Sequence, residues 1–275
     1  MLTCVRMPDA VEIRDIEHLH WRLADAESPL TFSTNGHGLS LVAAVELACI
    51  AAHRETEKDD PRLTLRVPNC AAWSLVKAAR WPERSHRARL RDADLAVVVL
   101  PRCGNDPWWS QCIRDLLTEL KGNGFPPKLA GALTGAVAEM ADNVWLHSNA
   151  HSPGLVAYQI RRRRFAFSVA DVGVGVLASL RENPRYRQLS SSMEALRAAI
   201  EPGVSRFGDS GGMGFPSLLH ALADLWGTAR IRSGEAGLLL DRRRDRRRKQ
   251  LVYLPNLPGV HVSARCSLEA PGGNQ

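Results

Sequence analysis

The chain has no paired cysteines with which to build a metal or disulfide framework. Its six cysteines, Cys4, Cys49, Cys70, Cys103, Cys112 and Cys266, are scattered and form no C-x-x-C pair. That excludes the zinc-ribbon and disulfide-scaffold classes and leaves them as reduced, half-buried fillers. No apolar run approaches the length needed to cross a bilayer, so no transmembrane helix is expected. The first residues, MLTCVRMPDAVEIRD, lack the charged-then-apolar run of a signal peptide, and a cytoplasmic protein is expected. General basicity is lacking as well, although the net charge is +7. Residues 242–249, RRRDRRRK, and the four arginines 161–164 carry the excess, and the remaining chain is slightly acidic. This local charge argues against a nucleic-acid binder that uses its whole surface.

The 275 residues are 45% hydrophobic and 24% charged, an ordinary globular composition with room for one large or two smaller domains. Residues 133–147, LTGAVAEMADNVWLH, have a helical period of about 100° per residue. Leu133, Val137, Met140 and Val144 fall on one apolar stripe. Glu139, Asn143 and His147, spaced i, i+4, i+8, fall on a second stripe beside it. A carboxylate, an amide and an imidazole lined up along an apolar seam suit a site at the edge of a core. Taken alone, the same stripe also reads as a solvated helix face.

Two further stretches follow. Residues 165–175, FAFSVADVGVG, read as a strand running into D-x-G-x-G, and residues 208–215, GDSGGMGF, as a Gly-rich turn before a helix. This order resembles the GHKL ATP-binding fold of histidine kinases, DNA gyrase, heat-shock chaperones and mismatch-repair ATPases. Within that family it is most similar to the anti-sigma-factor serine kinases. The resemblance covers residues 106–275. It implies a Bergerat-type α/β sandwich (α+β), with helices on a mixed sheet. It also implies ATP and Mg²⁺ as ligands and an ATP-dependent regulator that phosphorylates a protein partner on Ser/Thr or switches partners.

The roles implied by the resemblance match chemistry the residues can supply. Asn143 would be the Mg²⁺ ligand, since Mg²⁺ takes oxygen donors and often uses few protein groups beside phosphate oxygens. Glu139 would be the base for a water or a protein hydroxyl. His147 would contact a phosphate or a Mg²⁺-bound water, or else cap the helix end. Asp171 would accept the exocyclic amine of adenine, with Gly173 and Gly175 letting the backbone approach. Gly211, Gly212, Met213 and Gly214 would offer backbone N–H groups to phosphates at a helix N-terminus. Ser210 stands where the family commonly has Gly. No basic residue follows Asn143, and Arg206 is the candidate replacement. Residues 176–207 read as a mobile cover with a helix of their own. The chain lacks the helix pair carrying a phospho-accepting histidine, which disfavours a histidine autokinase. The alternatives are a GHKL ATPase driving a conformational cycle, or a non-catalytic ATP-binding module. In the latter, the Arg242–Lys249 run would hold nucleic acid or an acidic partner, although a solvated loop is the simpler use of that run. A regulatory protein partner is expected, a homodimer is open, and no membrane partner is expected.

The first 105 residues read as a smaller α/β module. Strands are expected at 30–32, 63–67 and 94–100, and helices at 39–53 and from Asn69 to 79. The pattern loosely resembles STAS-like modules. PRCGNDPWW, 101–109, reads as a junction. An amphipathic helix at 110–121, a hairpin with the arginines at its tip, a helix at 215–225 and four closing strands complete the expectation. Those strands fall at 228–233, 238–240, 251–254 and 260–267.

Overall fold

The structure, a computed structural model, describes residues 10–11, 13–24, 30–33, 38–56, 63–66, 70–79, 81, 87–148, 154–206, 214–222, 225–241 and 248–269. Among these, eight α-helices and a six-stranded antiparallel sheet make a mixed α/β fold. No helix among the described residues is long and apolar enough to cross a membrane.

The sheet holds β5 (Ala88–Asp92), β6 (Leu95–Val99), β7 (Leu155–Arg161), β8 (Arg164–Ala170), β9 (Trp226–Asp241) and β10 (Arg248–Ser267). Their order is β5-β6-β7-β8-β10-β9. A mixed sheet was expected, and every pairing in this one is antiparallel. The cause is local. Residues 93–94 and 162–163 alone link β5 to β6 and β7 to β8, and so short a link permits only antiparallel pairing. Ala93 and Arg162 take positive φ there, as tight hairpins require, which puts the arginines at a hairpin tip as expected.

Both faces of the sheet are buried. On one face Val98, Val156, Phe165, Phe167, Val169, Val262 and Ala264 pack under five helices. These are α4 (Pro107–Gly122), α5 (Pro127–His147), α6 (Gly175–Arg181), α7 (Ser192–Ala199) and α8 (Gly214–Ala221). On the other face Leu95, Val97, Val99, Leu155 and Ala157 join a second core with α1 (Ile13–Ala24), α2 (Leu41–Thr56) and α3 (Ala71–Ala78). Two short parallel pairs lie in the N-terminal part: β1 (Ala10–Val11) with β3 (Gly38–Leu39), and β2 (Leu30–Ser33) with β4 (Leu63–Arg66).

The expected boundary at residue 105 falls across this sheet. β6, assigned from its sequence to the N-terminal module, pairs with β7 along its whole length. The supposed junction is the start of α4. Asp106 caps it by accepting from the Trp108 N–H at 2.8 Å, and Pro107 takes the first helical position. Trp109 packs edge-on against Trp145, with centroids 5.8 Å apart, while Arg87 lies over Trp108. The four expected closing strands are two long ones, because the breaks near 255–260 are absorbed as irregularities in the β9–β10 register. α1 and β5 were not foreseen. Asn69, the Gly-rich turn up to Met213 and residues 242–247 lie outside the described residues.

The segment read as a mobile cover is largely seated. Ser191 caps α7 by accepting from the Glu194 N–H, and the Glu194 carboxylate accepts from the Ser190 N–H at 2.7 Å. The buried face of α7, Ala195 and Leu196, packs in the core beside Ala236 and Leu238 of β9.

Candidate functional site

α5 begins after Pro126 and runs for 21 residues to His147. Its apolar stripe, Leu133, Val137, Met140 and Val144, is buried as the spacing predicts. The second stripe borders a cavity of about 240 Å³, and Glu139, Asn143 and His147 all line it. Val169, Val260 and Val262 of β8 and β10 form its floor. The other walls come from α6, the Val204–Arg206 segment, and Gly214 and Phe215 at the start of α8. Asp171 and Gly175 line the same cavity, so residues from three separated motifs meet there.

Asp171 directly follows β8 and is only 3% exposed. Its Oδ1 accepts from the Gly173 N–H at 2.7 Å, and its own N–H donates to the Val260 carbonyl at 3.1 Å. Burial pushes its carboxyl up to about 7, against the pull of hydrogen bonds with the Gly173 and Val260 backbone. An ionised carboxylate has about four acceptor sites, so capacity remains for a ligand donor.

The loop after Asp171 explains its glycines. A side chain at Gly173 would run into the Ser148 carbonyl, which accepts from the Val174 N–H at 2.8 Å. Gly173 does not line the cavity; it lets the loop pack against the end of α5. Gly175 has φ +76°, and a Cβ there would lie 2.8 Å from Ser233 Oγ. That hydroxyl accepts from the Val176 N–H at 2.8 Å and donates to the Gly259 carbonyl at 3.1 Å.

His147 is half-buried, with Nδ1 3.2 Å from Ser179 Oγ. Burial, followed by the neighbouring Arg206 charge, pushes its pKa down to about 4, so the ring is neutral near pH 7. Arg206 borders the cavity and pairs with Glu182 at 2.9 Å. It is the one lysine or arginine on the cavity wall among the described residues. Asn143 Nδ2 makes a long contact of 3.9 Å with Met140 Sδ on its own helix. Gly214 approaches so closely that a Cβ would lie 2.7 Å from Asn143 Nδ2. Gly211, Gly212 and Met213 are outside the described residues, and Gly214 alone of that turn is placed, on the cavity wall. No cluster of three or more His, Cys, Asp or Glu able to hold a metal occurs among the described residues. A cation at Asn143 would therefore draw most of its oxygens from a ligand and water.

Sequence reading missed Ser179 and Ser233, which brace His147 and the Gly175 turn. Neither carries a local motif, and both act across long sequence separations. It also missed Glu46, whose only trace is an acid in the otherwise apolar run LSLVAAVELACIAAH. Arg230 and Arg232, alternating with Ala229 and Ile231 in a strand, were a visible hint that one face meets buried acids. The chain matches no protein-family model, and no curated protein matches it.

Proposed function

We propose that this cavity binds Mg²⁺-ATP and that the protein is an ATP-dependent regulator of the GHKL type, similar to an anti-sigma-factor serine/threonine kinase. One observation carries the reading: Glu139, Asn143, His147, Asp171, Gly175 and Gly214, drawn from three motifs, line a single cavity. The donor set suits the ligand. Asp171 is a buried acceptor for a purine amine, held by backbone hydrogen bonds on a floor of valines. Asn143 would supply one amide oxygen to Mg²⁺, which would neutralise phosphate charge and orient the terminal phosphate. Glu139 lies one helical turn from Asn143 and would take the proton of an attacking hydroxyl or water. Neutral His147 can offer one N–H or one lone pair but no charge, so the charged contact to phosphate falls to Arg206.

Calorimetry with Mg²⁺-ATP tests the reading. Wild type is expected to bind, and Asn143→Ala and Asp171→Asn to bind far more weakly. A folded wild type that releases no heat and shows no competition with a fluorescent ATP analogue would overturn it. Transfer is then sought with γ-labelled ATP and cell extract. Labelled protein supports the kinase form, and free phosphate alone supports the ATPase form. The seating of α7 on β9 favours a switch with a small stroke over a large conformational cycle.

A further inference from the structure

Beneath the cavity, on the opposite face of the sheet, lies a cluster of buried charge. Glu46 of α2 is 2% exposed. Its carboxylate accepts from Arg230 Nη1 and Nη2 at 3.0 and 3.2 Å, from Arg232 Nη1, and from His261 Nδ1 at 3.0 Å. Arg230 Nε also lies 2.7 Å from Glu17 of α1. Arg232 Nη2 donates to His20 Nδ1 at 2.8 Å and to the Pro255 carbonyl. A guanidinium only donates, so His20 Nδ1 is an acceptor and that ring is neutral. A carboxylate only accepts, so His261 carries its proton on Nδ1. Two carboxylates thus face two guanidinium groups, and the cluster balances without a third cation.

The strands that carry these cations present the cavity's supports on their other face, because neighbouring strand residues point opposite ways. Next to Arg232 is Ser233, whose hydroxyl holds the Val176 N–H and the Gly259 carbonyl. His261 sits between Val260 and Val262, both on the cavity floor. The Val260 carbonyl accepts from the Asp171 N–H. One backbone step therefore separates Arg232 from Ser233 and His261 from Val260, the two groups that fix the Asp171–Val176 loop.

We propose that Glu46 is a positioning residue for the nucleotide site: it holds Arg232 and His261 under the sheet and so fixes Ser233 and Val260, and through them the loop from Asp171 to Val176. The ligand part of this inference rests on the nucleotide reading above; the loop part does not. Without the Glu46 charge, two guanidinium groups share Glu17 alone in a dry interior. Such a state is strongly disfavoured, and the strands must shift to let water reach the cations. The N-terminal helices thereby become an input to the site through the Glu46 charge: losing it releases the cations under the floor, whereas lost packing on the same helix does not.

The test uses the full chain and three variants: Glu46→Gln, Glu46→Asp and Leu47→Ala. Leu47 is the fully buried neighbour of Glu46 in the same core and loosens the same layer by lost packing alone. Amide exchange is followed in the 172–176 peptide and Mg²⁺-ADP affinity by calorimetry, under conditions where each variant is folded. Glu46→Gln is expected to speed exchange of that loop and to weaken affinity, each by about tenfold. Glu46→Asp, which keeps the charge, should recover part of both, and Leu47→Ala should match wild type in both. Wild-type loop exchange in Glu46→Gln, or an equal change in Leu47→Ala, would overturn the inference. If Glu46→Gln does not fold, Glu46→Asp against Leu47→Ala makes the same comparison. A wild type that binds no nucleotide defeats the nucleotide reading, and loop exchange still decides the linkage.

Discussion

Asp171→Asn should change two properties in opposite directions. In the folded protein burial raises the Asp171 carboxyl to about 7, whereas in the unfolded chain it titrates near the ordinary carboxylate value. Between those two values the folded state holds a proton that the unfolded state has released. Stability therefore falls as pH rises through this window and levels off above about 7. Asn carries no charge in either state, so the variant escapes this loss. Each pH unit well inside the window is worth about 1.4 kcal/mol and the slope halves near 7, so the variant should gain about 2 kcal/mol relative to wild type between pH 5 and pH 7. Any change in the hydrogen bonds to Gly173 and Val260 adds an offset that does not vary with pH. Urea denaturation at pH 5, 6, 7 and 8 reads the difference. Binding should move the other way. Replacing one carboxylate oxygen by NH₂ sets a donor where a purine amine needs an acceptor, and a donor facing a donor should weaken Mg²⁺-ATP binding about 10- to 100-fold. Inosine triphosphate, whose base presents an oxygen there, should lose much less. A pH-independent stability difference would refute the buried-carboxyl argument, and unchanged ATP affinity would refute the base-recognition argument.

Asn143→Ala should abolish the Mg²⁺-dependent part of nucleotide binding with little loss of stability, because the amide's long contact is to its own helix; titration with and without Mg²⁺ separates the two. Glu139→Gln should bind Mg²⁺-ATP normally and lose transfer or hydrolysis by about a hundredfold or more, read by phosphate release or label transfer. Gly214→Ala brings a methyl 2.7 Å from Asn143 Nδ2, so the amide must swing aside. Nucleotide affinity should fall about tenfold in calorimetry while the melting temperature moves by only a few degrees. Leu196→Ala should cost about 3 kcal/mol in urea denaturation, because Leu196 is fully buried; a cost near zero would mean that α7 is not seated on β9.

The site helix was legible because two periodic stripes coincide on it, one apolar and one polar, and 3.6 residues per turn places both without any tertiary information. The hairpin of β7 and β8 was legible because its arginines interrupt two apolar runs at turn length. The domain boundary was misread at β6. LAVVV is apolar on both faces, and such a strand states that it is buried without saying which sheet buries it. Pro101, Gly104 and Pro107 then suggested a linker, where Asp106 and Pro107 instead start a helix. α1 escaped notice because its few apolar residues, Ile16 and Leu19 among them, are buried only by the tertiary packing against α2 and β10. The bracing hydroxyls of Ser179 and Ser233 had no trace at all, since a serine's partner is chosen by the fold.

The buried carboxyl of Asp171 is hard to explain by stability. At neutral pH it costs the fold free energy that an amide in the same place would not. Its surroundings leave it little room to relax: Gly173 lies against the Ser148 carbonyl, and a side chain at Gly259 would meet the Asp171 carbonyl. A polar group needed only to receive the Gly173 N–H could be an Asn oxygen, with no charge to bury. What the carboxylate adds is a strong acceptor facing a cavity, fixed before any ligand arrives. Preorganisation of that kind is costly in the empty protein and repaid when a donor enters, because neither partner has to move. The same logic extends to the layer below. Glu46 holds two arginines and His261 in a dry interior, where apolar packing would serve stability as well, and Arg232 and His261 each lie one residue from a support of the Asp171–Val176 loop. Two buried acids on opposite faces of one sheet, joined by single backbone steps, are better accounted for by a site held ready than by a core built for strength.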